Sequence, residues 1–248
     1  MTSGKKWAIG GTLFLFLAVG IEIGYLHHER TAAERAVLPP EYGKTDPDDL
    51  VFLKKERPST FADLKPLVGT TVWVSAGGQI DYYPYAAHHA DYAKSVGTLL
   101  GAEPLAIKDV FEQVAPKSAT TSRIPGGDKQ VLVAFTMPKS ADLTKEYAAP
   151  VGYKQAGDYT FFTDEVFFYV DPHELYKHWG PAIWQAVDSH QVILGMNERQ
   201  VELSLGQVSQ SVSKEYGNRL VVYANLGKPM AVTFVNNHVT AFRPDQGF

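Results

Sequence analysis

The stretch from Asn218 to Phe242 reads NRLVVYANLGKPMAVTFVNNHVTAF and predicts three consecutive β-strands. We expect the strands at Leu220–Ala224, Met230–Val235 and His238–Phe242, because each run is rich in β-branched and aromatic residues. Asn236-Asn237 separates the last two runs, and asparagine tolerates the positive φ that a two-residue hairpin turn requires. The sequence therefore predicts an antiparallel sheet in this part of the chain.

Two amphipathic helices are predicted ahead of these strands. Asp171-Pro172-His173-Glu174 is a helix start, since Asp caps a helix, Pro fits its first position and Glu completes a capping box. Pro181 is expected to kink or break this helix near Gly180. A second helix is expected to begin at the cap Asn197 and to end at Gly206. Helices followed by strands predict an α+β layer, in which the helices cover the apolar face of the sheet.

Strand signals dominate the region from residue 60 to 170. Gly77-Gly78 is expected to join the first two strands in a hairpin, and residues 155–158 are expected to form a second hairpin turn. Short strands at close spacing indicate a small barrel or rolled sheet, and the pattern resembles an SH3-like barrel. The predicted strands are Thr70–Val74, Ile80–Tyr83, Leu105–Phe111, Gln130–Thr136, Tyr147–Tyr153, Tyr159–Phe162 and Glu165–Val170.

The segment VILGMNERQVELSLGQVSQ, residues 192–210, together with residues 218–242, resembles the SmpA/OmlA (BamE-like) family. Members of this family are small envelope proteins that attend the outer-membrane β-barrel assembly machinery. The resemblance covers residues 184–242 and implies an α+β module and a role among envelope proteins. The residues that carry the resemblance are Gly195-Met196, Gln200-Val201, Leu205-Gly206, Tyr223, Phe234 and Asn236-Asn237.

A membrane anchor is predicted at Trp7 to Leu26, which reads WAIGGTLFLFLAVGIEIGYL. As a helix it would span about 30 Å, the thickness of a bilayer core. Lys5-Lys6 precedes it, so the positive-inside rule places the N-terminus in the cytoplasm and the body in the periplasm or outside. Two alternatives remain, a signal peptide cleaved near Ala18-Val19-Gly20 and a helix buried in a globular fold. The sequence predicts a single-pass protein of the inner (cytoplasmic) membrane.

The predicted organisation has five parts. Residues 1–6 are a cytoplasmic N-terminus, residues 7–26 a transmembrane helix acting as a signal anchor, and residues 27–57 a linker rich in proline and charge. Residues 58–170 form a β-rich SH3-like domain. Residues 171–248 form an SmpA/OmlA-like α+β domain.

Composition excludes several classes of function. The net charge is −4, and no Lys/Arg run is longer than two residues, which argues against nucleic-acid binding. The chain has no cysteine, so it has no disulfide, thiolate metal site, cysteine nucleophile or lipid-attachment cysteine. The partners that we expect are the membrane, through residues 7–26, and an envelope protein.

The candidate binding residues are Tyr82, Tyr83, Tyr85 and Tyr92. If these rings are exposed, they form a groove of the kind that binds peptides. If they are buried, they are barrel core with polar tips that reach hydrogen-bond partners. Both interpretations are open at the level of sequence.

Two histidine pairs are candidate metal sites by residue type. His173 and His178 are five residues apart, whereas two helical metal ligands need a spacing of four to face one ion. His88 and His89 are adjacent and point apart in regular structure. We therefore predict no catalytic residue, no metal and no cofactor.

The predicted function is a membrane-anchored extracytoplasmic interaction or scaffold protein of the cell envelope, and not an enzyme. One alternative is a small-ligand or cell-wall-binding module that uses the aromatic surface. Another alternative is a metalloenzyme that depends on the histidines named above.

Overall fold

The computed structural model describes residues 22, 24, 45–119, 124, 129–211 and 213–246. The chain divides into two units, Met1–Leu50 and Val51–Phe248. In the first unit a short 3-10 helix spans Pro47–Leu50. All elements described below belong to the second unit.

The first sheet has nine antiparallel strands within the described residues, in the order β3-β2-β7-β6-β5-β1-β9, with β4 paired to β2 and β8 paired to β7. Among the described residues β3 and β9 lie at the two ends of this order and do not pair with each other, so the pairing is not that of a closed barrel. The strands are β1 Thr71–Val74, β2 Asp81–Ala86, β3 His89–Ala90, β4 Gly97–Thr98, β5 Pro104–Val114, β6 Lys129–Thr136, β7 Tyr147–Gln155, β8 Asp158–Phe161 and β9 Phe167–Phe168.

Both faces of the central strand β6 are buried. Val131, Val133 and Phe135 point into the main core of this sheet, while Leu132 and Ala134 point to the opposite face. Successive side chains of a strand point to opposite faces, so a continuous apolar run is what a strand covered on both sides requires.

Among the described residues the second sheet has four antiparallel strands, in the order β10-β11-β12-β13. Its core face carries Val221, Tyr223, Val232 and Phe234, which pack with the buried residues of two eight-residue helices. The strands are β10 Ser209–Ser211, β11 Leu220–Tyr223, β12 Met230–Val235 and β13 His238–Pro244, and the helices are α1 Thr163–Val166, α2 Pro172–Leu175, α3 Pro181–Asp188 and α4 Glu198–Leu205. Short 3-10 helices span Phe61–Leu67, Lys117–Ala119, Lys177–Trp179 and Asn225–Gly227.

Several local predictions are confirmed. The Asn197 side chain caps α4 by accepting from the Gln200 N–H at 2.9 Å, and the Gln200 side chain completes the box. The expected break near Gly180 is present: the helix that Asp171 caps ends at Leu175, a 3-10 turn spans Lys177–Trp179, and a new helix starts after Gly180, where φ is +77°. Asn236 and Asn237 have φ of +50° and +59° and form the turn between β12 and β13.

The predicted α+β fold class is wrong, because two antiparallel sheets dominate the described residues and the helices are few and short. The predicted hairpin between Thr70–Val74 and Ile80–Tyr83 is also wrong, since β1 pairs with β5 and β9. The segment expected as a strand at Glu165–Val170 forms the end of α1 and the two-residue β9. The C-terminal sheet has a fourth strand, β10, whose three residues are exposed and therefore lack the apolar alternation that marks a strand.

The predicted transmembrane helix and signal anchor are corrected as well. Within the described residues no helix is long and apolar enough to cross a membrane. A span needs about 20 residues, whereas the longest helices of the second unit have eight. The segment Trp7–Leu26 lies outside the described residues, apart from Glu22 and Gly24. The single-pass inner-membrane localisation that depended on this anchor is withdrawn.

The loops of the first sheet meet the end of α4 at glycines. The Gln207 N–H donates to the Gly77 C=O at 2.9 Å. A Cβ added to Gly101 would lie 2.0 Å from the Leu203 carbonyl oxygen, and a Cβ added to Gly77 would lie 2.5 Å from the Gly101 nitrogen. The backbones therefore touch directly, and these positions have no room for a side chain.

Residues of the β-rich region also enter the second core. Trp73 of β1, Ala102 and Phe168 of β9 pack with the residues of α3, α4 and the second sheet. The predicted domain limits, at residues 58, 170 and 171, stay predictions.

Candidate functional site

Three of the four candidate tyrosines lie together. Tyr83, Tyr85 and Tyr92 pack with Phe111 on the outer face of the first sheet, and the rings of Tyr83 and Tyr92 meet edge to face with centroids 4.9 Å apart. Tyr82 points to the opposite face, into the main core, where its ring is 5.2 Å from that of Tyr147. Adjacent residues of β2 point to opposite faces, which explains the separation.

Two of the candidate tyrosines, Tyr85 and Tyr92, donate their hydroxyls to partners in the protein. Tyr85 donates to Asp109 at 2.6 Å, and Tyr92 donates to Gln130 at 2.9 Å. Burial, together with the hydrogen bond to Asp109, raises the pKa of Tyr85 to about 12. These hydrogen bonds and ring contacts account for the conformation of the tyrosine side chains. That the tyrosines form a ligand-binding surface stays a prediction.

The histidines do not converge. His88 contacts Asp109 at 2.5 Å, while His89 is exposed. His173 lies between Asp171 and Asp188, and the exposed His178 packs beside the rings of Tyr176 and Trp179. In the part of the chain that the structure describes, no group of three or more His, Cys, Asp or Glu side chains could hold a metal ion.

A groove of about 350 Å³ opens beside β1, in a place that the sequence did not indicate. The segment Lys54–Arg57, which we call the strap, contributes Lys54 and Glu56 to its lining. The 3-10 helix Phe61–Leu67 and the start of β1 contribute most of the remaining residues. The groove is lined by Lys54, Glu56, Asp63, Leu64, Pro66, Leu67, Thr70, Thr71, Val72 and Tyr169.

A single carboxylate holds the strap. The N–H groups of Glu56 and Arg57 donate to the two oxygens of Asp164 at 2.9 and 2.8 Å, and the Tyr169 hydroxyl donates to Oδ1 at 2.8 Å. Lys55 Nζ donates to the Asp164 carbonyl. Arg57 has φ of +49°, and consecutive N–H groups bent by a left-handed residue form a concave anion site. Burial alone would raise the pKa of Asp164, but these hydrogen bonds outweigh it and lower the pKa.

Thr71, at the start of β1, is one of the residues that line the groove. The Ile107 N–H donates to the Thr70 C=O at 2.9 Å, and the Val74 N–H donates to the Glu103 C=O at 3.0 Å, so even-numbered residues of β1 bond to β5. In an antiparallel sheet alternate residues bond to opposite sides, so Thr71 directs its N–H and C=O toward the β9 side. Among the residues that the structure describes, β9 pairs with Trp73 and Val74 and with no other residue of β1. The β1–β9 pairing therefore ends at Trp73, two residues away from Thr71.

Three charged side chains surround this opening. Lys54 and Glu56 form an exposed ion pair at 2.5 Å. Asp63 accepts from the N–H groups of Ser59 and Thr60 at 2.9 and 2.7 Å, and from the Ser59 hydroxyl at 3.1 Å. The backbone bonds from Ser59 and Thr60 are the main reason that the pKa of Asp63 falls to about 2.

One local sequence signal lies within this site. Thr60 and Asp63 have the spacing of a capping box, with Asp in place of the usual Glu or Gln. That spacing predicts the start of a short helix but gives no indication of a groove.

Comparison of the chain with models of protein families, with curated proteins and with solved structures finds no match. The resemblance to the SmpA/OmlA family therefore stays a prediction.

Proposed function

We propose that this chain is a binding protein that receives an extended segment of a partner protein in the groove beside Thr71. The observation that carries the proposal is the end of the β1–β9 ladder at Trp73, which leaves Thr71 outside the pairing and in the lining of the groove. Peptides commonly add to such an open edge, where main-chain hydrogen bonds supply affinity and side-chain pockets supply specificity. An interaction protein is also what the resemblance to the SmpA/OmlA family implies.

The size and lining of the groove suit one short segment. Its volume of about 350 Å³ is at the lower end for ligand pockets, enough for one or two side chains. A residue paired with Thr71 exchanges two hydrogen bonds with it. The side chain of the next residue points to the other face of the strand and meets Leu64, Leu67 and Val72.

The proposal is tested with pentapeptides of extended propensity and the isotope-labelled full chain. The parent peptide is acetyl-Ser-Val-Gln-Val-Ser-amide. Its binding is measured by the change in the amide NMR chemical shifts of Thr71 and Tyr169. Two further peptides are N-methylated, one at its central residue and the other at both valines. In an extended strand these residues present their N–H groups on opposite edges, so each peptide loses hydrogen-bond donors from one edge only. We expect saturable shifts with the parent peptide, loss of binding for one methylation pattern and retention for the other.

The control is the amide of Val232, which is buried in the second sheet and is expected not to shift. Absence of saturable shifts at Thr71 with all of the peptides, including those with a charged central residue described below, would refute the proposed function. Equal effects of the two methylation patterns would refute strand pairing.

A further inference from the structure

The floor and the rim of the groove differ in polarity. Leu64, Leu67 and Val72 are buried residues that line its base. Asp63 lies on the same 3-10 helix as the two leucines and is exposed at the rim. An apolar base below a charged rim matches a long side chain with an apolar stem and a charged end.

The charges at the rim favour a cation. Lys54 and Glu56 are paired with each other, so their charges cancel locally. The groups that act on Asp63 are the backbone and hydroxyl donors of Ser59 and Thr60, and no cation is among them. Among the side chains that line the groove, these three charged groups leave one negative charge, which lies on Asp63.

Asp63 has the capacity to accept a further hydrogen bond. The three short contacts from Ser59 and Thr60 end on Oδ2. A carboxylate has two oxygens and about four acceptor positions, so Oδ1 retains acceptor capacity. An aspartate of ordinary pKa is already ionised at neutral pH, and the same backbone bonds, which lower the pKa of Asp63 to about 2, extend its ionised state into the acid range.

We infer that the groove selects a partner segment that carries a lysine or arginine side chain, which lies along Leu64 and Leu67 and ends at Asp63. This inference rests on the proposed function. It adds the chemical class of the segment and names Asp63 as the residue that determines specificity.

Three peptides that differ only in the central residue of the parent peptide test the inference. We expect the lysine peptide to bind roughly two- to five-fold more tightly than the glutamine peptide, the range for an exposed ion pair, and the glutamate peptide to bind most weakly. The lysine advantage should shrink at about 1 M NaCl, where the screening length falls to about 3 Å.

The variant Asp63→Asn is expected to remove the difference between the lysine and glutamine peptides. Asparagine keeps one side-chain oxygen for the Ser59 and Thr60 N–H groups, so the cap is largely preserved. Asp158→Asn is the matched control, because Asp158 is an exposed residue at the β7–β8 turn. If the variant at Asp63 fails to fold, the salt dependence in the unmodified chain decides the question.

The outcomes separate the inference from the proposed function. Equal binding of the lysine and glutamine peptides would overturn the inference and leave the proposed function standing. A lysine preference that persists in the folded Asp63→Asn chain would overturn the role of Asp63. If acetyl-lysine-methylamide binds as tightly as the lysine pentapeptide, the occupant is a small amine and the peptide inference fails.

Discussion

His173 is held by two carboxylates and one ring. Its Nδ1 lies 2.8 Å from Asp171 Oδ1, and its Nε2 lies 3.1 Å from Asp188 Oδ2. The imidazole stacks on Trp184 with centroids 4.0 Å apart. Partial burial alone would lower the pKa of His173, but the hydrogen bonds to Asp188 and Asp171 outweigh it and raise the pKa above its ordinary value of 6.5.

Stability is therefore expected to depend on pH at this residue. Because the folded-state pKa of His173 is raised, its charge stabilises the fold fully below about pH 6.5, and this contribution is lost as pH rises through the folded pKa. We expect His173→Gln to lower the free energy of unfolding more at about pH 5.5 than at about pH 9, by about 0.5–1 kcal/mol. Urea unfolding at the two pH values measures the difference.

The control for this prediction is His89→Gln, because His89 is an exposed histidine of β3. The control should show no pH-dependent difference of that size. If His173→Gln lowers the free energy of unfolding by the same amount at both pH values, the residue has a packing role only.

Secondary-structure elements with strong local signals could be predicted from the sequence. The Asn236-Asn237 turn and the Asn197 cap depend on residues within a few positions of each other, so their conformation is fixed locally. β10 could not be predicted, because Ser209, Gln210 and Ser211 are all exposed and β10 is defined only by pairing with β11. The wrong β1–β2 hairpin has a similar cause, since the loop after β1 bonds to residues near α4 that are far away in sequence.

The strap is expected to depend on Asp164. Asp164→Ala removes the acceptor of the Glu56 and Arg57 N–H groups, and no other side chain of the groove replaces it. We expect amide hydrogen exchange at Glu56 and Arg57 to accelerate at least about ten-fold, while exchange in β6 stays unchanged. The lysine peptide should also bind more weakly, because the strap contributes Lys54 and Glu56 to the lining of the groove.

Asp158→Ala is the matched control for this change and should leave exchange in the strap unaltered. Unchanged protection of Glu56 and Arg57 in Asp164→Ala would mean that contacts other than the carboxylate hold the strap.

At the scale of the whole molecule, the candidate site could not be found from the sequence. Its lining comes from residues 54–72 and from Tyr169, nearly 100 positions later, and no local pattern relates the two. The unpaired edge of Thr71 depends on where β9 ends, which is a property of the sheet and not of the residues themselves. The tyrosine group was visible in the sequence, but the separation of Tyr82 from the others required the register of β2.

The two cores are expected to unfold together. Trp73 belongs to β1 but packs in the second core, and Phe168 of β9 does the same. In a Trp7→Phe chain, tryptophan fluorescence then reports the second core, and methyl resonances of Val131 and Val133 report the first. We expect the two urea transitions to coincide, as they do for a two-state domain.

Two separated transitions would contradict this prediction and would favour independent domains near the predicted boundary at residue 170. The comparison is made on the same sample, so that differences in concentration or pH do not mimic a separation.

The direct backbone contact at Gly77 and Gly101 has a consequence for the evolution of this chain. A side chain at residue 101 would collide with the carbonyl of Leu203, and a side chain at residue 77 would collide with Gly101. Neither collision is relieved by turning a flexible side chain, because the atoms on the far side belong to the main chain. Homologous chains that keep this arrangement of sheet and helix are therefore expected to retain glycine at both positions, even where the surrounding loops diverge beyond recognition.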